Sequence, residues 1–211
     1  MTTVQPPRVP ERFLLHGVSW STYVALRDEP GNDHVRMTYD RGELEMMSPS
    51  KPHEQFARIL DWLIHIWVEE LDLDIASCGT MTCRREDLAR GFEPDNCYYI
   101  EHEAQMRARN ELDLSTDPPP DLAIEIDLRG GARGKLPLYE AFGVPEAWHY
   151  GGKTIQVYQL GPDGRYTSQP GSRALPGFPL AEAERILSQI GTASETALVK
   201  SFRRWVQANS L

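Results

Sequence analysis

Cysteine is scarce in this chain, and long apolar runs are missing from it. Three cysteines, Cys78, Cys83 and Cys97, are an odd count that builds no disulfide framework, so a reducing cytoplasm is the expected setting. Cys78 and Cys83 invite a metal pair, yet no second Cys/His pair of zinc spacing accompanies them, and small buried thiols are the simpler reading. Met1–Pro10 contains no apolar segment of the secretory kind. The most apolar run, Ile59–Val68, is broken by Asp61 and His65 and is too short to span a bilayer, so no membrane partner is expected. Neither a G-x-x-x-x-G-K-[ST] phosphate loop nor a G-x-S-x-G elbow occurs. Repeats and low-complexity tracts are likewise missing, and a hydrolase built on a Cys/His pair lacks the spacing. Basic residues are outnumbered, 22 against 31 acidic, for a net charge of −9. That argues against a protein that coats nucleic acid by charge, but leaves room for an enzyme with a local basic patch.

What remains fits one domain. A chain of 211 residues, 40% hydrophobic and 25% charged, is long enough to bury a sizeable core. Residues 1–12 read as a flexible segment and 13–211 as the domain. VSWSTYVAL reads as a short helix with a serine near its N-cap, and Glu29–Asp33 as a turn. Val35–Met47 reads as a hairpin turning at Arg41-Gly42. After Pro49 and Pro52 comes the best helix, 53–71, with Phe56, Ile59, Leu60, Leu63, Ile64, Trp67 and Leu71 in one apolar stripe. His53 and Glu54 open it; an ordinary half-buried histidine and a favourable first-turn carboxylate account for them.

Ile75–Arg85 reads as a strand, and Phe92–Ile100 as a second one led by Pro94-Asp95. Glu103–Leu112 is a helix or an excursion, and the prolines of LSTDPPP make a loop. In the stretch that follows, Leu122, Ile124, Ile126 and Leu128 alternate with Asp121, Ala123, Glu125 and Asp127. A strand with one apolar and one acidic face results, and three like charges on one face need a cation to collect them. The turn RGGARG leads into a short helix with Lys135 in its first turn and Tyr139 one turn later. A carboxylate strand beside a lysine at a helix start points to a divalent metal with a cationic helper. Arg129 and Arg133 are placed to meet phosphates or are simply solvated. Glu146–Tyr150, Thr154–Leu160 and Arg165–Gln169 read as a meander, and Ala193–Ala208 as an amphipathic helix lying on the core.

Two Pro-Asp pairs compete for the metal. Asp121 and Glu125 lie four residues apart on one strand, about 13 Å at the usual rise, whereas ligands of one Mg²⁺ converge to about 2.1 Å from the ion. Asp95, on a neighbouring strand, can oppose Glu125. The expected pair is therefore Asp95 and Glu125, with Asp121 capping or pairing locally. On residues alone, a plain turn role for Asp95 stands equally beside this one.

The PDLxxEI core, the K-x-x-x-Y helix and the GVPEAW after it, with FEPDNCYYI and MTYDRGELEMMSPSKPHE upstream in the same order, resemble the Uma-type endonuclease family. That family belongs to the restriction-endonuclease-like PD-(D/E)xK superfamily, and the resemblance covers roughly residues 13–190. It implies an α/β fold, with a mixed central sheet flanked by helices, extra N-terminal strands and a C-terminal helix. It also implies a Mg²⁺-dependent endonuclease acting on DNA, with Mn²⁺ as a substitute, and a homodimer. Asp95, Glu125 and the backbone carbonyl of Ile126 would hold the ion. The superfamily's Glu-x-Lys is broken here, because Asp127 stands where the lysine belongs; Lys135 would supply the ammonium from the next helix. Glu54, Asp121, Asp127 and Tyr139 are secondary site candidates, Glu54 because superfamily members place an acidic residue on this first helix. The acidity of the chain and Asp127 in the lysine position keep an alternative open: a catalytically inactive nuclease fold that binds a partner or nucleic acid.

Overall fold

A computed structural model describes residues 12–128 and 135–209. Most of the N-terminal segment and the RGGARG turn, with Arg129 and Arg133, lie outside those ranges. In chain order the elements are β1 (Arg12–Leu15), α1 (Trp20–Asp28), β2 (Arg36–Asp40), β3 (Glu43–Met47), α2 (Lys51–Glu70), β4 (Ala76–Ser77) and β5 (Cys83–Arg85). They continue with β6 (Arg90–Phe92), β7 (Asn96–Tyr99), α3 (Glu103–Met106), β8 (Leu122–Ile126), α4 (Leu136–Phe142), β9 (Glu146–Tyr150), β10 (Ile155–Leu160), β11 (Tyr166–Gln169), α5 (Leu180–Leu187) and α6 (Glu195–Asn209).

The strands form two sheets. An N-terminal sheet has the order β1-β3-β2-β6-β5 and is antiparallel throughout. The central sheet has the order β11-β10-β9-β8-β7-β4 and is mixed, with β8 and β9 its parallel pair. Ser19 caps α1 by accepting from the Thr22 amide at 3.1 Å. Arg41 and Gly42 both take positive φ, 48° and 101°, as the two-residue hairpin turn between β2 and β3 demands. Helix α2 begins at Lys51, two residues ahead of the sequence expectation, because Ser50 caps it and Pro52 sits in the first turn, where its missing N–H costs nothing.

Residues 75–85 depart from the expectation of one strand. Gly79, at φ 55°, turns the chain out of the extended region, so β4 joins the central sheet and β5 the N-terminal one. Cys78 follows the end of β4 and Cys83 opens β5, and all three cysteines are free. The expected Phe92–Ile100 strand is likewise divided, and Glu93-Pro94-Asp95 carries the chain from sheet to sheet. Buried Glu93 fastens the crossing: it accepts from the Met37 amide at 3.0 Å and the Thr82 hydroxyl at 2.9 Å, and pairs with Arg27 at 3.2 Å. Helix α5 has no counterpart in the sequence reading.

The core lies on both faces of β8. On one face Leu122, Ile124 and Ile126 pack against the apolar stripe of α2 together with Trp148, Phe178, Leu198 and Phe202. On the other, Ala123 meets Leu138, Tyr139 and Phe142, closed over by Cys83 and Phe92 from the N-terminal sheet. The acidic face of β8 is therefore an interior face.

A smaller core under the N-terminal sheet stacks Tyr23 on Tyr39 at 4.9 Å between ring centroids. Gly91, opposite Tyr39 in the register, leaves the space that the Tyr23 ring fills. A Cβ at Gly91 would lie 2.7 Å from Tyr23 Cζ and 2.9 Å from Cε1, and closer still to the hydroxyl. Gly91→Ala is expected to destabilise the fold by about 1–3 kcal/mol through overpacking, read as a lower urea midpoint at unchanged m-value. An unchanged midpoint would show that this packing gives way freely.

Candidate active site

Three buried charged residues, Asp95, Glu125 and Lys135, come together where β7, β8 and α4 meet. The register of β7 on β8 pairs Asn96 with Ile124, and one step further along it Asp95 faces Glu125 on the inner side of β8. Both are buried, 4% and 6% exposed. Asp95 Oδ2 accepts from the Ile126 amide at 2.7 Å and lies 3.1 Å from His53 Nε2, at the start of α2. The imidazole contact is an ion pair of poor angle, so both His53 ring nitrogens are buried without an aligned hydrogen bond. Lys135 Nζ donates to Glu125 Oε1 at 2.6 Å, and the Tyr139 hydroxyl to Oε2 at 2.7 Å. The (i, i+4) spacing on α4 thus delivers two donors to one carboxylate.

Electrostatics follow from this crowding. Burial, with Asp95 adding repulsion, pushes the Glu125 carboxyl up to about 7 in spite of Lys135 and Tyr139. Burial works against Asp95 ionising too, but the His53 contact, the Lys135 charge and the Ile126 amide outweigh it and hold its carboxyl low. Burial opposes charge on Lys135, and the facing Glu125 and Asp95 overcome it, raising the ammonium. His53 is raised in the same way, Asp95 prevailing over burial.

A pH dependence of stability follows. Glu125 has a folded value of about 7 against an ordinary 4.5 in the unfolded chain, so between those values the folded chain holds the proton more tightly than the unfolded one. Its contribution to stability therefore falls as pH rises from 4.5 to 7 and is flat above. The span is on the order of 3 kcal/mol. Urea midpoints at both ends should fall with pH in the wild type and fall less in Glu125→Gln; equal slopes would remove Glu125 as the cause.

Of the remaining sequence candidates, Asp127 is buried on the same face as Glu125, its Oδ2 3.5 Å from His149 Nε2. Glu54 stays exposed, with its carboxylate 3.6 Å from His53 Nδ1. Asp121 lies apart from the cluster: it accepts from the Ile100 and His102 amides at 2.7 and 3.0 Å and contacts His102 Nδ1 at 2.6 Å. Two histidines join the site that sequence reasoning did not place there. On residues alone His53 reads as an ordinary helix-start side chain, the family resemblance extends to a histidine at this position, and only the fold brings Asp95 to it. His149 pairs with Glu125 across the parallel strands, a register no local pattern announces.

Among the described residues, no group of three or more His, Cys, Asp and Glu side chains is arranged to hold a metal ion. The donor chemistry still suits a hard dication: two buried carboxylates face each other, and their repulsion is part of what pushes the Glu125 carboxyl up.

A family model described as "Uma2: Putative restriction endonuclease" matches residues 20–191. The chain belongs to the Uma2 family. No curated protein matches it by sequence. Among solved structures, a crystal structure titled as a "putative nuclease belonging to DUF820" from Anabaena variabilis ATCC 29413 aligns over 88% of this chain and 99% of that one. Its TM-score is 0.52 at 13% identity, a likeness of fold. The mixed central sheet flanked by helices, the added N-terminal strands and the C-terminal helix are those of a restriction-endonuclease-like α/β protein. In this Uma2 chain no described helix is long and apolar enough to cross a membrane.

Proposed function

We propose that the chain is a Mg²⁺-dependent endonuclease that hydrolyses DNA phosphodiester bonds, with Mn²⁺ able to substitute. The observation that carries the reading is the buried pair Asp95 and Glu125 with the Lys135 ammonium 2.6 Å from Glu125. Asp95, Glu125 and the Ile126 carbonyl are the residues that would hold the ion. A bound dication supplies a water of lowered pKa and neutralises charge on the scissile phosphate. Lys135, fixed by its ion pair, orients the attacking water and stabilises the negative charge that develops on the phosphoryl oxygens. Tyr139 holds the Glu125 carboxylate in place, and His53 does the same for Asp95. Water oxygen bonds to phosphorus as one P–O ester bond breaks, and the leaving oxygen takes a proton.

Asp127 stands in the superfamily's lysine position, and Lys135 supports the reading that the ammonium has migrated to α4. A homodimer accords with the general preference for two-fold assembly, a cytoplasmic setting with the free thiols, and residues 13–211 with a single domain.

One observation favours a second reading, a nuclease fold that binds without cutting: both Glu125 oxygens are already engaged, by Lys135 and Tyr139. Supercoiled, linear and single-stranded DNA incubated with Mg²⁺ or Mn²⁺ separates the two. Metal-dependent cutting supports the nuclease. A pure protein that takes up no metal and cuts nothing leaves the binding reading in the lead.

A further inference from the structure

Resting on that nuclease reading, the next question is where so acidic a chain grips a polyanion. Most of its arginines are already occupied: Arg27 with Glu93, Arg90 with Asp40, and Arg203 with Glu69 and Glu70. Arg36 on β2 is different. It is half-buried, its Nε is shut off from solvent with no hydrogen-bond partner, and its side chain makes no ion pair among the described residues. A shielded Nε–H left without an acceptor is a cost that folding alone does not explain.

Its position gives the cost a purpose. Met37 and Tyr39 point from β2 into the small core with Tyr23 and Leu44, so Arg36 and Thr38 occupy the opposite face. Thr38 pairs with Glu45 across β2 and β3. Phe92, next to Gly91 on the neighbouring β6, lies on that same opposite face and packs edge-on against Tyr139 of α4 at 4.7 Å between ring centroids, so this face of the N-terminal sheet looks onto the site. Arg36 is one diagonal step from Glu45, about 7 Å in a strand pair. Met47 lies between Arg36 and Arg12 in the same cross-strand row, and Arg12 is held by Glu45 at 3.5 Å.

We propose that Arg36 is a substrate-binding residue, anchoring through its guanidinium fork a backbone phosphate of DNA next to the one that is cut. Arginine suits this task because its planar donors match two phosphate oxygens at once. Arg36, on the N-terminal sheet, sets where the DNA lies and takes no part in the bond-breaking step. The grip is indifferent to base sequence.

The test is anisotropy of a short labelled DNA duplex with the full-length chain, in chelator so that nothing is cut, across a salt series. Arg36→Gln is expected to weaken binding about 10-fold at low salt and to reduce the log–log salt slope by about 0.9, the mark of one lost phosphate contact. Arg36→Lys should restore the slope without the full affinity. In cleavage, Arg36→Gln should raise KM and leave kcat within about 2-fold. Unchanged thermal unfolding would confirm that the variants fold. Wild-type affinity and slope in a folded Arg36→Gln overturn the anchor and leave the nuclease reading standing. A wild-type chain that neither binds nor cuts DNA overturns both.

Discussion

Glu125→Gln is expected to lower metal-dependent DNA cleavage on the order of 10³-fold or more, with the fold retained. Glutamine keeps the shape of the side chain and an oxygen to accept from Lys135 or Tyr139, which donate at 2.6 and 2.7 Å to the native carboxylate. What it removes is the negative charge, and with it half of the carboxylate pair formed with Asp95. Metal affinity should therefore fall together with rate. Lys135→Ala separates the two quantities. It removes the fixed ammonium but neither proposed ligand, so Mn²⁺ uptake by calorimetry should survive while cleavage drops about 10²–10³-fold. Loss of Lys135 also leaves Glu125 with less reason to ionise, because burial already pushes it up to about 7. Raising the pH should accordingly recover part of the metal affinity of Lys135→Ala. Wild-type cutting by Glu125→Gln would remove this carboxylate from the reaction. Loss of metal uptake in Lys135→Ala at every pH would show that Lys135 builds the site and is not a helper within it.

The parts of this site that local patterns encode could be read before the fold was known. Alternation put Glu125 and Asp127 on one face of β8, and helical spacing put Lys135 and Tyr139 on one side of α4. Strand rise disfavoured Asp121 as a partner for Glu125; Asp95, which on residues alone stood even with a plain turn role, lies opposite Glu125 one step beyond the pairing of β7 with β8. The parts that depend on long-range register could not be read. His53 is 42 residues from Asp95 in the chain and His149 is 24 from Glu125, as their numbers show; neither has a periodic neighbour that marks it. The divided strands failed for a related reason. Residues 75–85 and 92–100 carry small, β-branched or aromatic side chains on both sides of their breakers, so each reads as one strand, while Gly79 and the Glu93-Pro94-Asp95 crossing hand the chain between sheets. Helix α5 sits behind Pro176, Gly177 and Pro179, breakers that mask a short helix whose stability comes from burying Ala183, Ile186 and Leu187.

Glu146→Ala is expected to cost about 3–5 kcal/mol of stability, more than any other single surface or site change considered above. Glu146 opens β9 at 2% exposure and gathers donors from three segments of chain. Its Oε1 accepts from Trp148 Nε1 at 2.7 Å and Ser172 Oγ at 2.5 Å; its Oε2 accepts from the Arg173 and Ala174 amides at 2.7 and 3.2 Å and Gln159 Nε2 at 3.2 Å. Alanine would leave those donors facing a cavity, including an indole N–H in the middle of the main core. For a chain of this size the melting temperature should fall by about 10 °C. Glu146→Gln, which keeps one acceptor oxygen, should lose less than half as much. The chemistry gives the control. Glu146 pairs with Leu122 at the start of the parallel strands, whereas Glu125 pairs with His149 three residues on, about 10 Å away. Folded Glu146→Ala should thus cleave DNA at the wild-type rate at low temperature while its urea midpoint drops. An unchanged midpoint would mean that water replaces the carboxylate and that the 172–174 turn is held by other contacts. Lost cleavage in the folded variant would tie this end of β9 to the active site and contradict the separation that the register implies.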